Sequence, residues 1–124
     1  MTTESLQEPP RESPAGPRLG IEVGAQGTWL VVELRGELDL FTAPALADRV
    51  EALIRQPSSP RIALQVSQVG FCDSAGINTF VRLWKRAGAA GRELVLLRPH
   101  PRVAQVLAMT ALDHYLPVHD TLPA

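Results

Sequence analysis

The sequence lacks the features that mark several large classes of protein. Its 12 Lys and Arg residues against 13 Asp and Glu give a formal net charge of −1, whereas nucleic-acid-binding domains usually carry a clear basic excess. The single cysteine excludes an internal disulfide, and one thiol does not make a zinc site. No apolar run approaches the roughly 20 residues that cross a bilayer. We therefore expect a cytoplasmic domain in a reducing compartment, with no direct contact to nucleic acid or membrane.

The 124 residues are about the length of one domain. The first 18 contain four of the eleven prolines and three glutamates, with only Met1 and Leu6 as large apolar side chains. Such a segment buries too little surface to offset the entropy of ordering it, and it lacks the apolar stretch of a secretory signal. We predict a flexible, Pro-rich acidic tail over residues 1–18 and one folded domain over residues 19–122.

Hydrophobic patterning in the folded part alternates between strands and helices. Gly36 and the turn-forming residues 67–70 are expected to end the second and third strands. The predicted strands are Ile21–Val23, Trp29–Leu34, Arg61–Val66, Glu93–Leu97 and Leu116–Val118. The predicted helices carry apolar stripes at Leu46 and Val50, at Ile77 and Phe80, and at Val103 and Leu107. This order predicts an α/β fold: a single mixed, largely parallel sheet of four to five strands with helices packed on one face.

The segment Phe71–Ile77 joins a buried strand to an amphipathic helix, at the edge of the sheet where functional loops lie. Asp73 and Ser74 stand at the predicted helix N-terminus, and Gly76 leaves room for a close backbone approach. Asp73 could simply cap the helix, with Ser74 as an ordinary first residue. Three functional alternatives compete with that interpretation.

The first alternative, a serine nucleophile, has little support. Cys72 stands where a nucleophile elbow has Gly, and His100, His114 and His119 lie far along the chain with no motif that links them to Ser74. The second, nucleotide binding, lacks any glycine-rich phosphate loop after a strand. A metal at Asp113, His114 and His119 is indicated only weakly by their spacing.

The third alternative is that Ser74 is itself a substrate of another protein's kinase activity. A phosphate adds about −1.5 to −2 charges beside Asp73. The helix N-terminus would tolerate that anion within the domain. An interface that seats the uncharged serine would not, so the modification would change binding and leave folding intact.

Four segments together resemble the STAS family (sulphate transporter and anti-sigma factor antagonist domain), specifically the stand-alone bacterial anti-anti-sigma factors. The resemblance covers residues 21–118. The segments are Leu34-Arg-Gly-Glu-Leu-Asp39 with Thr42-Ala43, Val69-Gly-Phe-Cys-Asp-Ser-Ala-Gly-Ile77, Gly91-Arg-Glu-Leu-Val-Leu96, and Val103-Ala-Gln-Val-Leu107 with Leu112 and Val118.

The resemblance implies a protein-binding switch with no catalysis and no cofactor of its own. Ser74 matches the family's phosphorylatable serine, and the kinase is the partner anti-sigma factor, a serine kinase with a histidine-kinase-like ATPase fold. The unphosphorylated domain would bind that partner and free a sigma factor, and a separate serine phosphatase would reset it. Asp39 matches a family acidic residue near the phosphorylation site and the partner-binding surface. It is equally well interpreted as an ordinary loop residue.

The partner-binding residues implied in this way lie in two segments. Three positions depart from the family pattern: Gln65 and Asn78, which we expect close enough to the motif to affect kinase recognition, and Ala111, where Gly is frequent. A different function remains open, namely a non-catalytic STAS scaffold module in a larger signalling complex. The implied partner-binding residues are Asp39, Asp73, Ser74, Ala75, Gly76, Asn78 and Thr79.

Overall fold

The computed structural model describes residues 18–56 and 61–124. Most of the predicted 1–18 tail, and the Pro57–Pro60 segment expected to follow the first helix, lie outside these residues. The described elements are β1 (Leu19–Gln26), β2 (Trp29–Leu38), α1 (Ala43–Ile54), β3 (Arg61–Cys72), α2 (Ser74–Ala89), β4 (Glu93–Leu97), α3 (Pro101–Met109), a 3₁₀ turn (Leu112–His114) and β5 (Val118–His119).

The five strands form one sheet in the order β1-β2-β3-β4-β5. β1 and β2 pair antiparallel as a hairpin, and the other three pairings are parallel. Side chains of all three helices join one buried cluster with alternate residues of the strands. The predicted α/β fold, with a mixed sheet and helices on one face, is therefore confirmed.

Period-two alternation decides which side chains face the helices. In β2, Val32 and Leu34 enter the helix-side core, together with Ile62 and Leu64 of β3. From the helices, the core receives buried side chains at helical spacing; these are Leu46, Val50, Leu53, Ile54, Ile77, Phe80, Leu83, Val103 and Leu107.

The opposite face of the sheet carries a smaller apolar cluster and no helix among the described residues. Trp29, Ala63, Val95 and Leu97 form it, and Leu122 of the C-terminal segment packs against it. The indole Nε1 of Trp29 donates to the carbonyl of Pro123 at 3.1 Å. The last residues of the chain therefore cover part of this face and leave the remainder open.

Three predicted strand bounds are wrong, two of them because the strands continue. Gly36 lies inside β2 at φ +118, between two register shifts that accommodate it. The turn-forming residues 67–70 belong to β3, where Val69 is fully buried. The last strand is Val118–His119 rather than Leu116–Val118, since Leu116 turns into the core.

Gly36 provides a direct test of this packing. A Cβ at Gly36 would collide with the carbonyl oxygen of Arg18, in a backbone conformation that side chains rarely adopt. We expect Gly36→Ala to lower the free energy of unfolding by about 2–4 kcal/mol. Gly88, within α2, has nothing within 4 Å of an added Cβ, so Gly88→Ala is the control and should be neutral or stabilise by up to about 1 kcal/mol. Urea denaturation measures both, and equal midpoints would contradict the structure.

Candidate functional site

The ends of β2 and β3 meet at one edge of the sheet and bring the two motif segments together. Leu38 pairs with Cys72 in the parallel register. Just beyond that pair, the backbone N–H of Asp73 donates to the carbonyl of Leu38 at 3.1 Å. The loop that starts at Asp39 therefore lies beside the first turn of α2.

Asp73 caps α2. Its backbone is extended, its Oδ1 accepts the N–H of Gly76 at 3.1 Å, and its carbonyl accepts the N–H of Ile77 at 3.0 Å. These bonds satisfy amides that the first helical turn would otherwise leave without partners. The carboxylate of Asp73 thus organises the turn that presents Ser74.

Ser74 is the first residue of α2 and is exposed. Its hydroxyl makes no hydrogen bond to any residue in 18–56 or 61–124. His100 instead caps α3 through Nδ1, which accepts the N–H of Arg102 at 3.1 Å, while His114 and His119 lie in the 3₁₀ turn and β5. The structure therefore places none of the three histidines in hydrogen-bonding contact with the Ser74 hydroxyl.

Gly76 fixes how closely the helix approaches the strands. A Cβ at this position would lie 2.7 Å from Sγ of Cys72 and 2.8 Å from Cγ of Leu38. These distances are shorter than any packed side chain allows. The absence of a side chain at Gly76 lets α2 begin directly against the ends of β2 and β3, and Gly76 itself is buried.

Asp39 shapes the loop between β2 and α1. Its Oδ1 accepts the N–H groups of Phe41 at 2.9 Å and Thr42 at 3.0 Å, and Oδ2 lies 3.4 Å from the guanidinium of Arg18. Partial burial raises the pKa of the Asp39 carboxyl, but these hydrogen bonds and Arg18 outweigh it, so that the pKa lies below its usual value. Asp39 is therefore engaged locally, and its carboxylate is mostly buried.

Thr42 completes the same loop. Its hydroxyl accepts the N–H of Asp39 and donates to the carbonyl of Glu37, both at 2.9 Å. Although Thr42 stands at the N-cap of α1, its side chain makes no cap hydrogen bond there. The reciprocal bonds between Asp39 and Thr42 give the loop one defined shape.

Three of the implied partner-binding residues line one groove of about 420 Å³ between α1 and α2. Ala75 is half-buried and Asn78 is exposed, whereas Thr79 is buried and donates its hydroxyl to the carbonyl of Ala75 at 2.8 Å. Leu40 and Arg82 also line this groove. Most side chains that line the groove are uncharged; Asp48 and Arg82 are its charged residues, and Ala75 directly follows Ser74.

Sequence reasoning missed the exposed apolar side chains of this edge. Leu40 is 66% exposed and Phe41 78%, both in the loop that Asp39 organises, and Phe71 at the end of β3 is 50% exposed. In the sequence, Leu40 and Phe41 are large apolar residues that fit neither a strand pattern nor a helix pattern. This mismatch was the one sequence signal that they lie outside the core. Solvent-exposed aromatic and aliphatic groups next to a groove are typical of a protein-docking surface.

Gln65 lies on the helix-free face of the sheet rather than beside the motif, and the thiol of Cys72 is unreactive. Gln65 was expected near the motif, but it shares a strand face with Ala63 and lines a cleft on the helix-free side of the sheet. Burial, with a smaller contribution from Asp73, raises the pKa of the Cys72 thiol to about 12, so the thiol stays protonated at neutral pH.

No helix in residues 18–56 and 61–124 is long and apolar enough to span a membrane. Within the same part of the chain, no three His, Cys, Asp or Glu side chains cluster as potential metal ligands. Ala111 has φ +60, a conformation that favours Gly, which explains why Gly is frequent at this position; nothing in the structure explains why this chain has Ala.

The cap formed by Asp73 can be tested apart from any partner. Asp73→Ala removes the acceptor for the N–H of Gly76 and should lower the free energy of unfolding by about 1 kcal/mol. Asp73→Asn keeps a side-chain acceptor and should stay within about 0.5 kcal/mol of the parent. Thermal and urea unfolding measure both, and an unchanged Ala variant would show that the cap is not formed.

Comparison with known proteins agrees with this geometry. The family description "STAS domain" matches residues 21–124. The chain is 29% identical over 102 residues to the anti-sigma-B factor antagonist of Staphylococcus aureus, which covers 82% of this chain and 94% of that protein. It is 28% identical over 102 residues to the anti-sigma F factor antagonist of Paenibacillus polymyxa, over 82% of this chain and 87% of that one.

A solved structure shows the same fold. The crystal structure of an anti-sigma factor antagonist from Mycobacterium paratuberculosis superposes with a TM-score of 0.76 at 25% identity, over 90% of this chain and 92% of the other. The family match includes the sheet, all three helices and both loops of the candidate site. The chain belongs to the STAS domain family.

Proposed function

We propose that this chain is an anti-sigma factor antagonist whose activity is switched by phosphorylation of Ser74. In its unphosphorylated form it binds a partner anti-sigma factor, a serine kinase with a histidine-kinase-like ATPase fold, and thereby releases a sigma factor. Phosphorylation of Ser74 by that kinase ends the interaction, and a serine phosphatase restores it. The names of the bacterial relatives support the regulatory role.

The observation that carries the proposal is the position of the Ser74 hydroxyl. It is exposed at the first turn of α2, beside a groove and next to a loop bearing Leu40 and Phe41. A kinase can reach this hydroxyl without unfolding the domain. A partner that covers Leu40 and Phe41 will also cover the serine.

Electrostatics explains why the phosphate acts on binding and leaves the fold intact. The N-terminus of α2 presents backbone N–H groups and the positive end of the helix dipole, which stabilise an anion there. Asp73 is already engaged with Gly76 at 3.1 Å, so the cap does not depend on the serine side chain. A partner surface fitted to an uncharged serine, however, would have to desolvate about −1.5 to −2 charges.

The rest of the surface suits a partner protein in the cytoplasm. The apolar loop residues and the groove supply the area that drives association. On α2, Arg82 and Arg86 both lie beside Glu51 of α1, at 4.0 and 3.6 Å. Lys85 adds a positive charge on the same helix, which can steer an acidic partner.

The switch is tested with a pair of baits. We expect Ser74→Ala to retain a histidine-kinase-like ATPase from native bacterial lysate and Ser74→Glu to lose it, with at least about a tenfold difference in affinity once the partner is purified. Gln105→Glu adds the same charge at an exposed position on α3 and should bind like the parent. All three should keep the parent's melting temperature. If the Ser74 variants retain the same proteins equally, the switch is refuted and a scaffold function is favoured.

The contribution of the loop that carries Leu40 and Phe41 is tested by polar substitution. Leu40→Ser and Phe41→Ser should each weaken binding of the purified partner by about tenfold or more, because central apolar contacts dominate interface energies. Both side chains are largely exposed, so the free energy of unfolding should change by less than about 0.5 kcal/mol for Leu40→Ser. For Phe41→Ser the change should be about 1 kcal/mol or less, because the guanidinium of Arg18 lies over the Phe41 ring at 5.4 Å.

Met109 supplies the matched control, since it is 77% exposed but lies at the end of α3. Met109→Ser should leave the affinity within twofold of the parent. Titration calorimetry with the purified partner measures all three variants. Equal losses of affinity at Leu40, Phe41 and Met109 would place the interface elsewhere.

A further inference from the structure

The helix-free face of the sheet holds an open cleft of about 570 Å³, away from the Ser74 surface. This volume lies in the range of small-molecule sites. The sheet forms its floor, and Thr121 and Leu122 of the C-terminal segment form one wall. Nothing in the proposed partner switch uses this cleft.

One row of paired residues crosses the floor. Glu22 of β1 pairs with Glu33 of β2, Glu33 with Gln65 of β3, and Gln65 with Leu97 of β4. Adjacent strands lie about 4.8 Å apart, so the row spans about 14 Å. Arg98 follows Leu97 and also lines the cleft.

Gln65 is the feature that marks this floor as a binding site. Only 8% of the residue is exposed, and its Oε1 accepts the backbone N–H of Ser67 at 3.2 Å. Because an N–H can be accepted only by the amide oxygen, the orientation of the amide is fixed and its NH₂ group remains. That NH₂ has no acceptor within residues 18–56 or 61–124. Buried polar groups normally have partners, so this donor is available to a ligand.

Charge is distributed unevenly along the row. At the β1 side, Glu22 and Glu33 both lie against Arg35, at 3.6 and 3.3 Å. At the β4 side, the guanidinium of Arg98 has no ion pair or hydrogen bond to a described residue. Arg35 engages Oε1 of each glutamate, whereas Oε2 of Glu33 has no partner among residues 18–56 and 61–124. This end therefore still offers a carboxylate acceptor, and the other end offers the donors of Gln65 and Arg98.

We propose that this cleft binds a small amino or hydroxy acid. The acid group, a carboxylate or a phosphate ester, is held by the NH₂ of Gln65 and the guanidinium of Arg98. The amine or hydroxyl of the same molecule donates to Glu33, one strand away. Donors at one end and carboxylates at the other select a ligand with both an anionic group and a hydrogen-bond donor.

The test is a titration of the isotopically labelled full-length chain followed by amide chemical shifts. The probes are the twenty amino acids, malate, citrate, glucose 6-phosphate and inorganic phosphate. We expect at least one amino or hydroxy acid to shift the amides of β2, β3 and Arg98 with a dissociation constant near or below about 1 mM. The carboxylate and phosphate probes distinguish the two kinds of acid group.

Two variants test the proposed contacts. Gln65→Met keeps the length of the side chain and removes the NH₂ donor, and Arg98→Gly removes the guanidinium at a residue whose φ is +48, which Gly adopts without strain. Each should weaken binding about tenfold or more, as expected for loss of a hydrogen bond to a charged group. The amide spectrum of each variant reports whether it is folded, and Arg98→Gly stands alone if Gln65→Met is not.

Arg102, an exposed arginine on α3, provides the matched control, and Arg102→Ala should bind within twofold of the parent. Ser74→Ala should also bind normally, which separates this site from the phosphorylation switch. The proposal is overturned if no amino or hydroxy acid shifts the cleft amides at 10 mM, a concentration about tenfold above the expected constant. It is overturned equally if Gln65→Met and Arg98→Gly bind as tightly as the parent.

Discussion

The close approach of α2 to the ends of β2 and β3 is the constraint on which the candidate site depends. Gly76 permits it, because any Cβ would meet Cys72 and Leu38 at less than 3 Å. Asp73 then closes the first turn through the N–H of Gly76 and joins the strand end through its own N–H to Leu38. These contacts place Ser74 at the corner between sheet and helix, where its hydroxyl faces solvent.

The loop between β2 and α1 forms the rest of the candidate site, and side-chain hydrogen bonds fix its shape. Asp39 and Thr42 bond to each other's backbone and hold the two residues between them, Leu40 and Phe41, outward. The guanidinium of Arg18 lies over the Phe41 ring, 5.4 Å from its centroid. Leu40 lines the same groove as Ala75, the residue that follows Ser74. The two acidic residues of the motifs thus act as positioning groups: each uses its carboxylate to build a turn, and each turn presents a neighbouring side chain.

Much of the fold could be predicted from the sequence, and the failures have physical causes. The nearly continuous apolar run located β4 at its observed bounds, and the stripe of Val103 and Leu107 located the buried face of α3, because those patterns follow directly from burial. Gly36 was misassigned because its role depends on the contact with Arg18, which local sequence does not contain. The face of Gln65 was equally hidden, since its strand is apolar on both sides and alternation gives no direction.

The candidate site divides in the same way. The position of Ser74 at the start of α2 followed from the motif, whereas the exposure of Leu40 and Phe41 followed only from the loop geometry.

The measurement that tests the central claim most directly is phosphate mapping by tandem mass spectrometry, after the chain is incubated with ATP and native bacterial lysate. The account predicts one phosphate on Ser74, no phosphorylation of Ser74→Ala, and an unchanged fold. Phosphorylation at another residue, or none while the chain still binds its partner, would contradict it.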